Sequence, residues 1–426
     1  MPNTRPSSPR TVSIIGAGII GLCTAYYLRR EGVEVAVFDQ GVIGAGASGG
    51  NAGEICPTSS DPLPSASMLR EGVGQLFAPS SAVYIHPSQM LKMAGFIAGF
   101  TRRSTVRSYR SGLAALDLLN EQTNTRFDEL ADDRIGLSMR REGYVYCFRD
   151  KASATQGRDA AVRLAARGLA PEPDPLVGGS ELRELEPAIS LVNGWGYLQR
   201  GVLWIDPATL LADLAAWLRA HGVDIHEESS VSAISAGAAG ADIRVDGQTH
   251  HSDMVVIAAG ARSGQLTRSF GVNLGLKPGK GYSFSVRPPV MPQHVVNMPE
   301  AHAVATPMGE RLRIAGTMEF DGTYDRMNPN RIEAIVRGSR DYLNDIDWND
   351  RHEQWVGARP MTPDGLPHIG TLAKHPSVFI ATGHNMLGLS LGPSSGATAA
   401  GLIVGKLSES DYNAFAPNRF SHFGVG

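Results

Sequence analysis

The stretch "TVSIIGAGIIGLCTAYYL", residues 11–28, decides how this chain is read. It is an apolar run near the N-terminus with basic residues beside it, so a secretion signal, a membrane span and a nucleotide grip compete for it. A secretion signal needs a small-residue cleavage site soon afterwards, whereas "YYLRREGVEV" leads straight into another apolar strand. A span needs about 20 apolar residues, and this run is shorter and carries Gly16, Gly18 and Gly21. Those glycines form G-x-G-x-x-G between a strand, "TVSII", and a helix, "LCTAYYLRREG", with Gly32 where a helix C-terminal glycine belongs.

The next strand, "VEVAVFD", ends in Asp39, 23 positions after Gly16, where a carboxylate accepts hydrogen bonds from an adenosine ribose. Gly16 makes the tight turn, Gly18 lets the backbone approach a pyrophosphate, and Gly21 lets helix and strand pack closely. Ile19 and Ile20 open the helix whose N-terminus faces the phosphates, and Gln40 follows the acid. The complete strand–turn–helix–strand unit reads as a dinucleotide-binding site.

A chain of 426 residues has room for two domains. With 42% apolar and 19% charged residues it is an ordinary soluble globular composition. A net charge of −3 gives no basic footprint for nucleic acid. Cys23, Cys56 and Cys147 form no CxxC pair and no zinc spacing, so no metal site is expected and a reducing cytoplasm suits them. Residues 1–10, polar and rich in proline, are expected to be disordered.

A second glycine-rich loop, "GVIGAGASGGNAGEICP" (41–57), follows Asp39 and suggests a ligand larger than an ADP half. Helical periodicity runs through 86–130, and a polar helix is expected around 151–169. A hairpin turns at Asp246-Gly247, further strands occupy 280–320, and a long helix is capped by Asn328 or Asn330. Apolar strands at 12–15, 33–38, 254–258 and 377–381 lie far apart, so a parallel sheet built from them is discontinuous. The expected fold class is α/β. A Rossmann-like domain comprises 11–85, 151–275 and 351–426, and a second domain of 86–150 and 276–350 rests on a mostly antiparallel sheet.

With "SGGNAG" (48–53), "VVIAAGARSG" (255–264), "GARPMTPDGLPHIG" (357–370) and "GHNMLGLSLGP" (383–393), the glycine turn resembles the flavin-dependent D-amino acid oxidase superfamily. The resemblance spans about residues 11–405 and is strongest to D-amino acid dehydrogenase small subunits, with glycine/sarcosine oxidases and hydroxyproline dehydrogenases as relatives. It implies non-covalent FAD. Ala47 and Ser48 would lie at the pyrophosphate, Asn51, Ala52 and Gly53 at the flavin ring, and Val231 at the adenine. Ala259-Gly260 would meet the ligand above the sheet, and a helix start at Gly388, Leu389 and Ser390 would stabilise negative charge on the ring. Arg359 would hold the α-carboxylate of an amino acid, since its fork matches a carboxylate bidentately.

Three residues keep alternative readings. Tyr282 is either a carboxylate partner or a core tyrosine, His384 either lies beside the flavin or is structural, and Lys280 either tunes oxygen reactivity or is solvated or ion-paired. The implied activity is oxidation of a small, D-configured amino acid by hydride transfer to flavin N5, with a quinone-like acceptor or partner subunit taking the electrons. A glycine, sarcosine or hydroxyproline oxidase or dehydrogenase is the alternative enzyme, and a non-catalytic flavoprotein subunit is the alternative of another class. The run Arg102, Arg103, Arg107, Arg110 reads as a solvated helix face, or as a contact with an anionic membrane at its inner face, where these dehydrogenases often associate.

Overall fold

In the computed structural model, residues 8–57, 61–64 and 81–420 are described. Of the expected disorder of residues 1–10, the part over 1–7 lies outside them, while Ser8 Oγ donates to Val404 O at 3.0 Å and Arg10 N to Asp253 Oδ2 at 2.7 Å.

Four of the apolar runs form parallel strands: β1 (Thr11–Ile15), β2 (Glu34–Phe38), β13 (Met254–Ile257) and β20 (His375–Thr382). With β9 (Asp224–His226) and the antiparallel edge β19 (His368–Leu372) they form a sheet of order β19-β20-β13-β1-β2-β9. Its central strands β1, β13 and β20 are mostly apolar because both faces are covered, whereas the edge strand β9 is Asp-Ile-His. Ile14, Val256 and Phe379 point to a core shared with the helices Ile19–Arg30, Pro207–Ala220 and Gly388–Ile403. Ile15, Val255, Ile257 and Ile380 point the other way. There they meet a three-stranded meander of β10 (Val231–Gly237), β11 (Gly240–Val245) and β12 (Gln248–Ser252). The β11–β12 turn is the expected Asp246-Gly247, both with positive φ.

The helix Ile19–Arg30 is buried on every side from Ile19 to Leu28. It fits because the helix Gly388–Ile403 offers glycines at the crossing: a Cβ on Gly392 would lie 2.6 Å from Ile19, and one on Gly396 2.6 Å from Cys23.

The second sheet runs β18-β14-β17-β16-β15-β5-β7-β6, with β4 (Val83–Ile85) paired to β17. Its strands are β5 (Tyr144–Phe148), β6 (Val177–Gly178), β7 (Trp195–Gln199), β14 (Lys277–Val286), β15 (Val295–Met298), β16 (Ala303–Met308), β17 (Arg311–Phe320) and β18 (His352–Met361). A two-stranded pair, β3 (Glu54–Ile55) with β8 (Leu203–Trp204), lies between the sheets. One face of the large sheet is closed by the helix Pro329–Ser339, which Asn328 caps through Asn330 N. That helix is 11 residues long, shorter than the sequence pattern suggests.

The expected domain boundaries need correction. β4, β6, β7 and β18 fall in segments allotted to the Rossmann-like part, yet all pair in the large sheet. Conversely, Leu116, Leu119, Phe127 and Leu130, from the helices Val106–Asn120 and Thr123–Asp132, join the core of the parallel sheet. There Tyr27 Oη donates to Glu129 at 2.9 Å.

Candidate functional site

The glycine turn is built as its spacing requires. Gly16 has φ +115°, and a Cβ there would lie 2.5 Å from Ala258 O; one on Gly21 would overlap Gly16 O. Asp39 is fastened to this turn, accepting from Ala17 N at 2.6 Å and Gly41 N at 2.9 Å, and burial holds its carboxyl above the ordinary range. Gly18, as N-cap of the helix Ile19–Arg30, supplies no side chain; Ser48 reaches across, its Oγ accepting from Ile19 N at 3.1 Å.

A cavity of about 440 Å³ opens from this turn. It brings together Gly16, Gly18, Ile19, Ile20, Asp39, Gln40, Ala47, Ser48, Asn51, Val231, Ala259, Gly260, Gly388, Leu389, Arg359 and His384. Gly21, Ala52, Gly53, Ser390 and Tyr282 do not line it. Gly53 and Ser390 instead shape its wall. Gly53, with φ +77°, donates to Asn51 Oδ1 at 2.7 Å. Ser390 Oγ accepts from Cys56 N at 3.1 Å and donates to Glu54 O at 3.2 Å.

Large-sheet side chains hold the 48–53 loop in place. Arg313 Nη1 donates to Gly49 O and Asn51 O at 3.2 and 3.4 Å, and Ser283 Oγ donates to Gly50 O at 2.7 Å. Trp355 packs so tightly on Gly50 that a Cβ there would lie 2.3 Å from the indole.

Arg359 projects from β18 over Gly281 of β14. Its Nη1 donates to Thr317 O at 3.1 Å, and no carboxylate pairs with it among the described residues. Burial alone pulls it down to about 10, so it remains charged at neutral pH. Thr317 is a β-branched residue at φ +55°, where β17 bulges against β14. That bulge presents the carbonyl to the guanidinium, at a backbone angle such residues rarely adopt. The bulge leaves no mark in the sequence. Arg262, whose guanidinium lies 4.3 Å from the Tyr324 ring, also lines the cavity. It stands two residues after Gly260, within reach of the sequence pattern.

His384 is buried; its Nε2 lies 2.9 Å from Ser395 Oγ, and its Nδ1 has no partner within the protein. Burial pulls it down to about 3, so it is neutral at physiological pH.

Tyr282 is not at the site. On β14 it alternates with Gly281 and Ser283, so it faces the core under the helix Pro329–Ser339 and donates to Glu319. Lys280 shares that face, ion-paired to Asp321 at 2.8 Å and Glu319 at 3.1 Å. Among the described residues no group of acidic, histidine and cysteine side chains is arranged to hold a metal ion.

The glycine turn, the acid at the next strand's end and two helix N-termini without side-chain caps of their own fit a dinucleotide cofactor extended along the cavity. Fold and site together define a dinucleotide-binding protein built on a parallel and a mostly antiparallel sheet. The chain belongs to the FAD-dependent oxidoreductase (DAO) family, whose sequence model matches residues 11–402. It is 30% identical over 441 aligned positions to a D-amino acid dehydrogenase of Paramagnetospirillum magneticum, covering 97% of this chain and 99% of the relative. It is 31% identical to D-amino acid dehydrogenase 2 of Pseudomonas aeruginosa, covering 90% and 92%. Among solved structures, glycine oxidase from Geobacillus kaustophilus superposes with a TM-score of 0.73 at 22% identity, over 99% of this chain and 100% of that one. FAD-bound L-α-glycerophosphate oxidase from Mycoplasma pneumoniae gives 0.71 at 17% identity, over 92% and 94%. These two likenesses speak for the fold alone.

Proposed function

We propose that this protein is an FAD-dependent dehydrogenase of small amino acids, most readily D-amino acids, with Arg359 as the carboxylate anchor. The observation that carries this reading is the charged Arg359 at the cavity, because a half-buried cation with only a carbonyl partner among the described residues calls for an anionic ligand. A flavin serving only structure would leave that cation without a purpose. The curated relatives' name, D-amino acid dehydrogenase, supports the substrate class and the preference for an acceptor other than oxygen.

Gly16 to Ile20 with Ser48 would hold the pyrophosphate, Asp39 the ribose, Val231 the adenine, and the 51–53 loop with Gly388 and Leu389 the ring. FAD, when bound, supplies the two-electron acceptor. The protein's own part is to bind and orient. Arg359 fixes the carboxylate and so the bearing of the α-carbon. Neutral His384 adds no charge beside it, and the clamp of Arg313 and Ser283 keeps the loop rigid. The purified protein should be yellow, and anaerobic D-amino acids should bleach it. A colourless protein that cannot be loaded with FAD, or a yellow one that no amino acid bleaches, overturns the reading.

A peripheral membrane contact belongs to the same proposal. The helix Met90–Arg103 buries only Met93, leaves Leu91 92% exposed, and ends in Arg102 and Arg103. Apolar and basic residues so arranged suit an anionic lipid surface. No helix among the described residues is long and apolar enough to cross a membrane. Salt-sensitive sedimentation with anionic vesicles, but not with neutral ones, is the expected result.

A further inference from the structure

A bridge of side chains crosses the cavity that Arg359 lines. Arg262 and Gln265 come from the parallel-sheet side, in the turn Gly260–Arg262 after β13 and the short helix Ser263–Leu266 that continues it. Tyr324 and Asp325 come from the other side, on the loop that leaves β17 of the large sheet. All four line the cavity. The Arg262 guanidinium lies 4.3 Å from the centre of the Tyr324 ring, and Gln265 Nε2 donates to Tyr324 Oη at 3.0 Å. Arg262 Nη2 is also 3.6 Å from Asp325 Oδ2. Gln265 and Asp325 are exposed while Arg262 and Tyr324 are half-buried, so the bridge has the cavity on one side and solvent on the other. It stands at the mouth.

Its place along the cavity follows from the strands. β13 lies next to β1, and a Cβ on Gly16 would lie 3.1 Å from Ala259 Cα. Arg262 is one turn further on, its N donating to Ala259 O at 3.1 Å. The arginine is therefore rooted beside the glycine turn, where a dinucleotide's phosphates would be held. The opposite root is anchored. Lys280 Nζ donates to Asp321 Oδ2 at 2.8 Å and to Arg326 O at 2.7 Å, tying the two ends of the Tyr324 loop together. Asp321 also accepts from Thr323 N and Oγ1 at 3.0 and 2.8 Å. Between these two roots the bridge consists of side-chain contacts only. A partly exposed cation–π contact, one hydrogen bond and an exposed ion pair are each weak. They can part without disturbing either sheet.

We propose that Tyr324 and Asp325 form with Arg262 and Gln265 a latch that must part for a dinucleotide to enter or leave, and that this latch governs how long FAD stays bound. The proposal rests on the cavity being the FAD site. A latch differs from a cofactor contact in its kinetics. A contact stabilises the bound state, so its loss speeds release and weakens affinity by the same factor. A latch is a barrier, so its loss speeds release and capture together and leaves the equilibrium nearly unchanged.

The test uses the FAD-loaded full chain. Release is followed by trapping free FAD with an excess of an unrelated FAD-binding apoprotein. The dissociation constant is read from flavin fluorescence after serial dilution to equilibrium. Tyr324→Ala should speed release about tenfold, as expected for losing a hydrogen bond and a cation–π contact together, while Kd moves by less than about threefold. Gln265→Ala and Tyr324→Phe break the same hydrogen bond from its two ends. Each should speed release about threefold, and the double variant no more than either alone. Unchanged release in Tyr324→Ala, a Kd weakened as much as release is accelerated, or additive effects in the double variant each overturn the latch. Any of these in a chain that still holds FAD and is bleached by amino acids refutes only this inference. A wild-type chain that takes up no FAD refutes the function proposed above.

Discussion

The Arg359 guanidinium lies directly over Gly281: a side-chain carbon built on that glycine would fall 2.2 Å from Cζ. The two residues sit on neighbouring antiparallel strands, and the missing side chain of one is the space occupied by the other. Gly281 does not have positive φ, so alanine is tolerated there by the backbone and acts only through the arginine. Gly281→Ala is predicted to leave the melting temperature nearly unchanged while raising KM about tenfold or more, because a displaced anchor misplaces the substrate. Steady-state kinetics with a thermal melt decide it; wild-type KM would show that Arg359 needs no such space.

Arg359→Ala is predicted to lower kcat/KM by roughly 30-fold to several thousandfold, corresponding to about 2–5 kcal/mol for losing one partner of a buried charged contact. Arg359→Lys should recover only part, since an ammonium cannot reproduce the planar fork. FAD content should stay near wild type in both, because the glycine turn and Asp39 lie on other elements. Near-normal kcat/KM in Arg359→Ala would move the carboxylate anchor elsewhere.

Tyr282→Phe is predicted to behave as a stability mutant. It removes the donor to buried Glu319, which keeps Lys280 and Asn328 as partners, so about 1–2 kcal/mol should be lost. Turnover should stay within about twofold, as expected for a contact made away from substrate. Urea unfolding alongside kinetics tests this, and a large drop in kcat with intact stability would return Tyr282 to the active site.

Acid should destabilise the protein partly through His384. Its folded-state value, about 3, lies below the unfolded one, so the unfolded chain binds a proton first as pH falls. Stability from the neutral imidazole is therefore complete above about pH 6.5 and declines by about 1.4 kcal/mol per pH unit as acid approaches pH 3. His368, also held low by burial, adds the same sense of change and is present in both proteins compared. His384→Gln is predicted to flatten stability against pH between 6 and 4 by one proton's worth. Parallel curves for variant and wild type would contradict a buried neutral histidine.

Sequence patterns reached furthest where the chemistry is local. Gly16, Gly18 and Asp39 lie within 24 consecutive residues, and their spacing alone carries the phosphate grip, whereas Ser48 entered through the family resemblance. Tyr282 shows the opposite case. It adjoins Gly281 in the chain, but a one-residue step in a strand reverses the face, and only the pairing of β14 with β17 and β18 says which face meets the loop. Membership of β6, β7 and β18 in the large sheet escaped for a similar reason, because antiparallel partners from distant segments carry no local signal.

The discontinuous parallel sheet has a consequence for how the protein is made. The helix Ile19–Arg30 leaves the ribosome early, yet its glycine-lined partner Gly388–Ile403 and the strand β20 are among the last described elements to follow. At 5–20 residues per second, roughly 20 to 80 s separate the two helices. Throughout that interval the apolar flank of the first helix has no permanent cover and needs shelter from chaperones or from transient collapse. Cofactor capture therefore waits until the helix Gly388–Ile403 has emerged, well after the glycine turn itself.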